Sequence, residues 1–253
     1  MLLEVRGVSK HFGGVRAVED ASFSVKQGMI LSIIGPNGAG KTTLFNCLTG
    51  FVRPTKGTIV FSGTDISGMT PDRICRLGIS RTFQNIRLFK GMSVLENVMT
   101  AQHAMVRSSL VSIIAGLKSF RNEEASVRQA AFEYLEFLGL DPLAGHAAGN
   151  LPYGAQRRLE IARALAARPS VILLDEPTAG MNPSETGEMM DTIRNIREMG
   201  ITVLVIEHDM KFVMGISDRI IVLDHGVKIA EGSPEQIKND PLVIEAYLGK
   251  EMH

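Results

Sequence analysis

The chain has 253 residues, 45% of them hydrophobic, and its 27 Lys and Arg residues balance 27 Asp and Glu residues. This apolar content is enough for a sizeable core and excludes an intrinsically disordered chain. The zero formal net charge argues against a protein whose main partner is nucleic acid, and against one that binds a membrane surface through basic charge. We therefore expect an ordinary globular protein of one or two domains.

The cysteines argue against a disulfide-stabilised protein, and the hydropathy pattern argues against a membrane-spanning one. Cys47 and Cys75 are too few for a disulfide framework and lack the spacing of metal ligands, so we expect two reduced thiols of a cytosolic protein. Residues 1–6 carry charges where a signal peptide needs an apolar run. The most apolar later stretch, 110–117, is far shorter than the roughly 20 residues that span a bilayer. The chain is predicted not to cross a membrane by itself.

Short apolar segments predict strands in the first and last parts of the chain. Two of them near the N-terminus are separated by glycine turns, whereas the later ones are almost continuously apolar, which is typical of strands buried on both faces of a parallel sheet. Because helical patterns lie between these strands, the fold class is predicted to be α/β. The predicted strands are 2–8, 21–25, 29–34, 171–174, 201–206 and 219–223, with another short strand after the turn Asp224-His225-Gly226.

The middle of the chain has a helical pattern instead. Helices are predicted at 93–107 and 155–167, and Val127, Ala131, Tyr134 and Leu138 recur on one face of a third. We therefore predict one domain over 1–253. Its α/β core consists of 1–85 and 160–253, and an α-helical subdomain, 86–159, is inserted into it.

A glycine-rich motif follows the apolar run at 29–34 and opens a predicted helix. Its pattern, G-x-x-x-x-G-K-[ST], predicts a loop whose backbone N–H groups surround phosphate groups, with the partial positive charge of the helix N-terminus behind them. Lys41 is expected to contact the β- and γ-phosphates, and the Thr42 hydroxyl to bind Mg²⁺. The motif therefore predicts a nucleotide site, formed by Gly35, Pro36, Asn37, Gly38, Ala39, Gly40, Lys41, Thr42 and Thr43.

Carboxylates and a histidine follow two other predicted strands. Asp175 and Glu176 come directly after the strand at 171–174, and His208 ends the strand at 201–206. Ligands of open α/β sheets bind at the carboxyl ends of the strands. We expect Asp175 to face the metal, Glu176 to polarise a water for attack on the γ-phosphate, and His208 to lie within reach of that phosphate. The predicted catalytic residues are thus Lys41, Glu176 and His208.

The order of these motifs resembles the ATP-binding subunits of ABC transporters over nearly the whole chain. The order is a P-loop, a glutamine at Gln84, a glycine-bearing helix start at 151–158 and a strand that ends in Asp175-Glu176. The resemblance implies a P-loop NTPase (RecA-like) core with a mainly parallel sheet, an N-terminal antiparallel β region and a helical insertion. It also implies ATP and Mg²⁺ as ligands, with Thr42, Gln84 and Asp175 at the metal.

Further site residues are implied by the same resemblance. Phe12 matches an aromatic residue that stacks on adenine, Val18 is expected to contact the nucleotide, and His208 matches the switch histidine. Residues 179–182 match the D-loop, although Asn182 replaces its usual aspartate. The signature motif of the family, which caps the nucleotide of the opposite subunit, corresponds here to Leu151 followed by Pro152, Tyr153, Gly154 and Ala155.

Three segments resemble the ATPases of branched-chain amino acid importers, and in particular the larger of their two ATPases. They are residues 81–89, the insertion near 101–125 and the tail from 232–235 to 247–249. The implied partners are integral membrane permease subunits, a second ATP-binding subunit (a heterodimer being favoured) and, indirectly, a periplasmic binding protein, with no nucleic acid. The implied location is peripheral, at the cytoplasmic face of the inner membrane.

Two alternatives stay open at this point. The ATPase of lipopolysaccharide export has a similar pattern, although the long segment between 98 and 124 favours the amino acid importer. The second alternative is an ATP-gated binding module with weak hydrolysis, because Pro152 and Ala155 replace the serine and glutamine of the signature motif.

Overall fold

The computed structural model describes residues 1–103 and 118–248, which fold into two compact units. The first unit contains the chain up to Gln84 and again from Ser170 onward, and the second unit is Asn85–Pro169. The predicted helical subdomain, 86–159, lies within the second unit.

Parts of three expectations fall outside the described residues. These are the last residues of the predicted helix 93–107, the centre of the insertion near 101–125 and the end of the tail at Gly249. The apolar stretch 110–117 also lies there. Over the described ranges, no helix is both long enough and apolar enough to cross a membrane.

The strands form two sheets in the first unit. One has four strands in the order β2-β1-β4-β5, and the other has six in the order β10-β9-β3-β8-β7-β6. In chain order the strands are β1 (Leu3–Phe12), β2 (Val15–Val25), β3 (Ile30–Ile34), β4 (Lys56–Phe61), β5 (Thr64–Asp65), β6 (Ile79–Arg81), β7 (Val171–Asp175), β8 (Thr202–Ile206), β9 (Arg219–Asp224) and β10 (Val227–Gly232).

The six-stranded sheet is mainly parallel, as its sequence pattern predicted. β6, β7, β8, β3 and β9 are joined by parallel pairings, and β10 runs antiparallel to β9. Every residue of β3, β7 and β8 is buried, which is why their sequences are almost continuously apolar. The four-stranded sheet is antiparallel throughout. The predicted α/β class and the N-terminal antiparallel region are therefore confirmed.

The helices follow the strands in the pattern expected for this class. In chain order they are α1 (Lys41–Leu48), α2 (Pro71–Leu77), α3 (Val94–His103), α4 (Lys118–Phe137), α5 (Tyr153–Ala166), α6 (Pro183–Glu198), α7 (Met210–Ile216), α8 (Pro234–Lys238) and α9 (Pro241–Leu248). α1 packs in one hydrophobic cluster with the antiparallel sheet and with alternate residues of β3, β8 and β9. That packing fixes the N-terminus of α1 at the edge of the parallel sheet.

The second unit contains α3, α4 and α5, which contact one another. On α4, Val127, Ala131 and Leu138 are buried as predicted, and Leu135 is buried too. Tyr134 is only half-buried, and its partial burial raises the pKa of its hydroxyl. At this turn of α4 the fully buried residue is therefore Leu135 and not the predicted Tyr134.

Candidate nucleotide-binding site

The parallel strands β3, β7, β8 and β9 end at the same edge of the six-stranded sheet. The loops after them contain, respectively, the motif 35–40, Glu176, His208 and His225. Because these strands are neighbours, residues that are far apart in the sequence are brought together at one edge. The site is built on this edge.

The glycine-rich loop is shaped by contacts that only glycine permits. Gly35 has a φ of 146°, and a Cβ there would lie 2.0 Å from the carbonyl oxygen of Leu223. Gly40 has a φ of 98°, and a Cβ there would lie 2.2 Å from the carbonyl oxygen of Ala17. Both glycines let the bare backbone turn tightly into α1, whose first N–H groups have no acceptor inside the helix.

Lys41 is the first residue of α1 and is 7% exposed. Its Nζ donates hydrogen bonds to the carbonyl oxygens of Gly35, at 2.6 Å, and of Pro36, at 2.9 Å. The ammonium group therefore lies inside the loop, where it supplies a positive charge beside the N-terminus of the helix. This arrangement suits a bound phosphate chain.

A cavity of about 430 Å³ lies over this loop. Its volume falls in the range of roughly 300–1,000 Å³ that is usual for small-molecule sites. It brings seven predicted residues of the loop together with Gln84 and Glu176. Its lining residues are Val15, Arg16, Ala17, Asn37, Gly38, Ala39, Gly40, Lys41, Thr42, Thr43, Gln84, Glu176 and His225.

Glu176 occupies a strained position on the cavity wall. Its φ of 48° is in the left-handed region, which costs a residue other than glycine roughly 1–3 kcal/mol. Its N–H donates to the carbonyl oxygen of Ile206, at 2.9 Å, and this bond holds the turn against β8. Gln84 Nε2 donates to Glu176 Oε2 at 3.0 Å, and His208 Nδ1 lies 3.9 Å from Glu176 Oε1. The structure thus brings Gln84, Glu176 and His208 together.

Asp175 is 2% exposed and forms a buried ion pair. Arg81 donates from one terminal nitrogen to Asp175 Oδ2 at 2.7 Å, and from the other to Asn46 Oδ1 at 2.7 Å and Thr49 Oγ1 at 3.2 Å. The guanidinium carbon lies 5.2 to 5.9 Å from the centroids of three aromatic rings. Arg81 therefore ties the end of β7 to the end of α1. The three rings belong to Phe45, Phe51 and Phe83.

Two further residues that were expected to contact the nucleotide have different surroundings. The side chain of Phe12 is exposed, and Lys10 Nζ lies 4.8 Å from the centroid of its ring. Val18 is fully buried in the hydrophobic core. The structure places Val18 away from the cavity wall, which the preceding residues 15–17 line instead.

The four residues at the signature position lie at the start of α5, in the second unit. Pro152 has an extended conformation and precedes the first helical residue. Tyr153 is 45% exposed, and its hydroxyl accepts a hydrogen bond from the buried Arg157, at 3.0 Å. Gly154 is half-buried and Ala155 is buried.

Four polar residues at this edge were not predicted from the sequence to belong to the site. Arg16 and His225 line the cavity, Arg81 pairs with Asp175, and Glu207 is buried beside His208. A signal existed for His225, because it follows a buried strand in the same way as His208. The Arg81 pair spans 94 residues of sequence, so no local pattern could indicate it.

Two family models match parts of the chain. A family model described as ABC transporter matches residues 18–179, and one described as branched-chain amino acid ATP-binding cassette transporter matches residues 227–253.

Curated relatives match over almost their full length. The chain is 48% identical over 250 residues to the high-affinity branched-chain amino acid transport ATP-binding proteins BraF of Pseudomonas aeruginosa and LivG of Escherichia coli, with 98% of each chain covered. A solved ATP-binding cassette of an ABC transporter, in its ADP conformation, is 36% identical with a TM-score of 0.85, and 98% of both chains is covered.

Proposed function

Because the chain belongs to the ABC transporter family, we propose that it powers a membrane importer for branched-chain amino acids by hydrolysing ATP. Membership of this family makes it an ATP-hydrolysing transport ATPase. The cargo is supported by the curated relatives and by the C-terminal match at 227–253. The single observation that carries the hydrolytic role is the cavity over the glycine-rich loop, with Gln84 and Glu176 on its wall.

The binding of the triphosphate rests on the loop and on the charges around it. Backbone N–H groups at the start of α1 and the ammonium group of Lys41 would compensate the charge of the phosphate oxygens. Arg16 lines the same cavity and adds positive charge, and His225 is a further polar side chain of its lining. The exposed ring of Phe12 offers a surface on which adenine can stack.

The hydrolytic step needs a group that polarises water beside the γ-phosphate. We assign this role to Glu176, because its carboxylate is on the cavity wall and is held by the amide of Gln84. His208, whose ring nitrogen faces the same carboxylate, is assigned to the γ-phosphate. Lys41 would stabilise the negative charge that develops on the transferred phosphoryl group.

The residues proposed for Mg²⁺ fit that ion in their chemistry. Thr42 offers a hydroxyl, Gln84 an amide oxygen and Asp175 a carboxylate, and all three are hard oxygen donors. Mg²⁺ usually keeps several waters and binds one or two protein groups together with substrate phosphates, so three protein donors are enough. When bound, Mg²⁺ would supply positive charge to the phosphate oxygens.

The remaining parts of the site are proposed to come from partner chains. A second ATP-binding subunit, identical or related, would present its own counterparts of Pro152, Tyr153, Gly154 and Ala155 to this nucleotide. A related subunit is favoured. Permease subunits would couple closure of the pair to transport, with a periplasmic binding protein delivering the cargo. These partners imply a peripheral position at the cytoplasmic face of the inner membrane.

The substitution Glu176→Gln tests this function, because it removes the carboxylate while keeping the shape of the side chain. We expect ATP binding to be retained and phosphate release to fall by about 10²- to 10⁴-fold, the range that general-base catalysis contributes. In the source organism, the same substitution should abolish uptake of labelled leucine, isoleucine and valine.

The matched control is Glu198→Gln, an exposed glutamate at the end of α6. It should leave ATP binding, phosphate release and uptake unchanged. Phosphate release at the wild-type rate in Glu176→Gln would refute the assignment of the catalytic residue. Unchanged uptake of the three amino acids, in a strain with no intact copy, would refute the cargo.

A further inference from the structure

Glu207 is a fully buried carboxylate at the catalytic edge of the sheet. It follows β8 directly, precedes His208 and has no solvent exposure. A buried carboxylate is strongly unfavourable unless hydrogen bonds compensate for the water that it has lost. The groups that donate to Glu207 therefore show what its burial achieves.

The donors come from two different catalytic loops. Oε1 accepts from the backbone N–H of Thr178, at 3.0 Å, and from the Thr178 hydroxyl. Oε2 accepts from the N–H of His208, at 2.9 Å, and from the N–H of Asp209, at 3.5 Å. One carboxylate thus joins the turn after β7 to the loop after β8. Hydrogen bonds to a carboxylate are stronger than those between neutral groups, so this junction is firm.

Both loops carry residues assigned to the reaction. The turn that contains Thr178 begins at Glu176, and the carbonyl oxygen of Thr178 accepts from the N–H of Met181, at 3.0 Å, just before Asn182. On the other side, Nδ1 of His208 lies 3.6 Å from Glu207 Oε2 and 3.9 Å from Glu176 Oε1. The position of the His208 ring relative to Glu176 therefore depends on Glu207.

We propose that Glu207 is a positioning residue for ATP hydrolysis, which holds the turn of Glu176 and the loop of His208 in a fixed relation. The proposal rests on the proposed function. Glu207 contacts no substrate in this role. It acts through His208, whose loop it ties to the turn of Glu176, and its effect should therefore appear in the rate of hydrolysis more than in the affinity for ATP.

The test is a double-mutant cycle with Glu207→Gln and His208→Ala. In Glu207→Gln an NH₂ group replaces one acceptor, so that at least one of the two loops loses its bond. We expect kcat to fall about 10- to 100-fold, as is usual for groups that orient catalytic residues, with the KM for ATP changed less than about threefold. In the His208→Ala background the same substitution should cause little further loss, because the two residues act as a unit.

A matched control separates positioning from general stability. Glu231, on β10, forms an ion pair in which its carboxylate accepts a hydrogen bond from Lys228 Nζ at 2.7 Å, and it lies outside the site. Glu231→Gln should lower the melting temperature and leave kcat unchanged. If Glu207→Gln does not fold, Thr178→Val removes only the hydroxyl donor and should lower kcat by a smaller factor.

The outcomes distinguish this proposal from the proposed function. Wild-type protein that does not hydrolyse ATP would refute the function itself. If folded Glu207→Gln, or folded Thr178→Val, hydrolyses ATP at the same rate as the wild-type protein, the positioning role alone is refuted. Losses that multiply independently in the double variant would also refute it, since Glu207 would then not act through His208.

Discussion

Replacing Arg81 by methionine should destabilise the chain far more than the loss of an exposed ion pair. Arg81 and Asp175 are 5% and 3% exposed in their side chains, and their charged atoms are 2.7 Å apart. Methionine fills much of the volume of arginine and packs against aromatic rings, so the change mainly removes the charge. It leaves Asp175 buried without its cation.

The expected magnitude follows from this burial. Breaking a buried pair by removing one partner costs about 3–5 kcal/mol, because the remaining charge is neither hydrated nor paired. A chain of this size loses about 2–4 °C in melting temperature for each kcal/mol. Arg81→Met should therefore lower the melting temperature by roughly 6–20 °C. The lost bonds to Asn46 and Thr49 act in the same direction.

Urea and thermal unfolding of three variants would measure the effect and its cause. Arg6→Met is the control, because Arg6 pairs with Glu4 at 2.6 Å but is 63% exposed. Water and salt screen such a pair, so its loss should hardly change stability. The double variant Arg81→Met, Asp175→Asn should recover much of the loss, since no unpaired charge is then left.

Two results would refute the reasoning. If Arg81→Met were no less stable than Arg6→Met, the buried pair would have no special role. If the double variant stayed as unstable as Arg81→Met, the loss would come from packing around the three phenylalanine rings and not from the unpaired charge.

Two further predictions concern single side chains. Burial raises the pKa of the Cys47 thiol to about 11, so that roughly one thiol in a thousand is ionised at pH 8. Iodoacetamide should therefore label Cys47 in urea but hardly in the native protein. Rapid labelling of the native protein, measured by mass spectrometry, would contradict this prediction. Asn182 caps α6 by accepting from the N–H groups of Ser184 and Glu185. Asn182→Ala should therefore lower the free energy of unfolding by about 0.5–2 kcal/mol, whereas Asn182→Asp should keep it. Equal melting temperatures for the wild-type protein and both variants would exclude the cap as a stabilising contact.

The sequence predicted those parts of the fold in which burial leaves a local pattern. β3, β7 and β8 are buried along their whole length and are almost continuously apolar, so the parallel sheet could be recognised. β6 is only three residues long and β4 begins with three exposed residues, so neither has such a pattern. The loop around Lys41 was predictable because its chemistry needs a contiguous motif.

Contacts between distant residues left no such signal. Thr178 and Glu207 are 29 residues apart, and each is an ordinary polar residue in its own segment. Only the register of β7 against β8 places them together. The position of Val18 depends on which face of β2 each residue occupies, and this face follows from the pairing with β1 and not from β2 alone.

Three carboxylates at the ends of β7 and β8, Asp175, Glu176 and Glu207, have different surroundings. Asp175 is paired with Arg81, and Glu207 is surrounded by N–H and O–H donors from Thr178, His208 and Asp209. Glu176 lines the cavity and is 20% exposed in its side chain. A triphosphate carries several negative charges, and uncompensated carboxylates beside it would oppose its binding. The Arg81 cation offsets the charge of Asp175, and the donors around Glu207 stabilise its buried charge. Glu176 is the one of the three that lines the cavity, so the protein presents one reactive carboxylate to the nucleotide while limiting the repulsion.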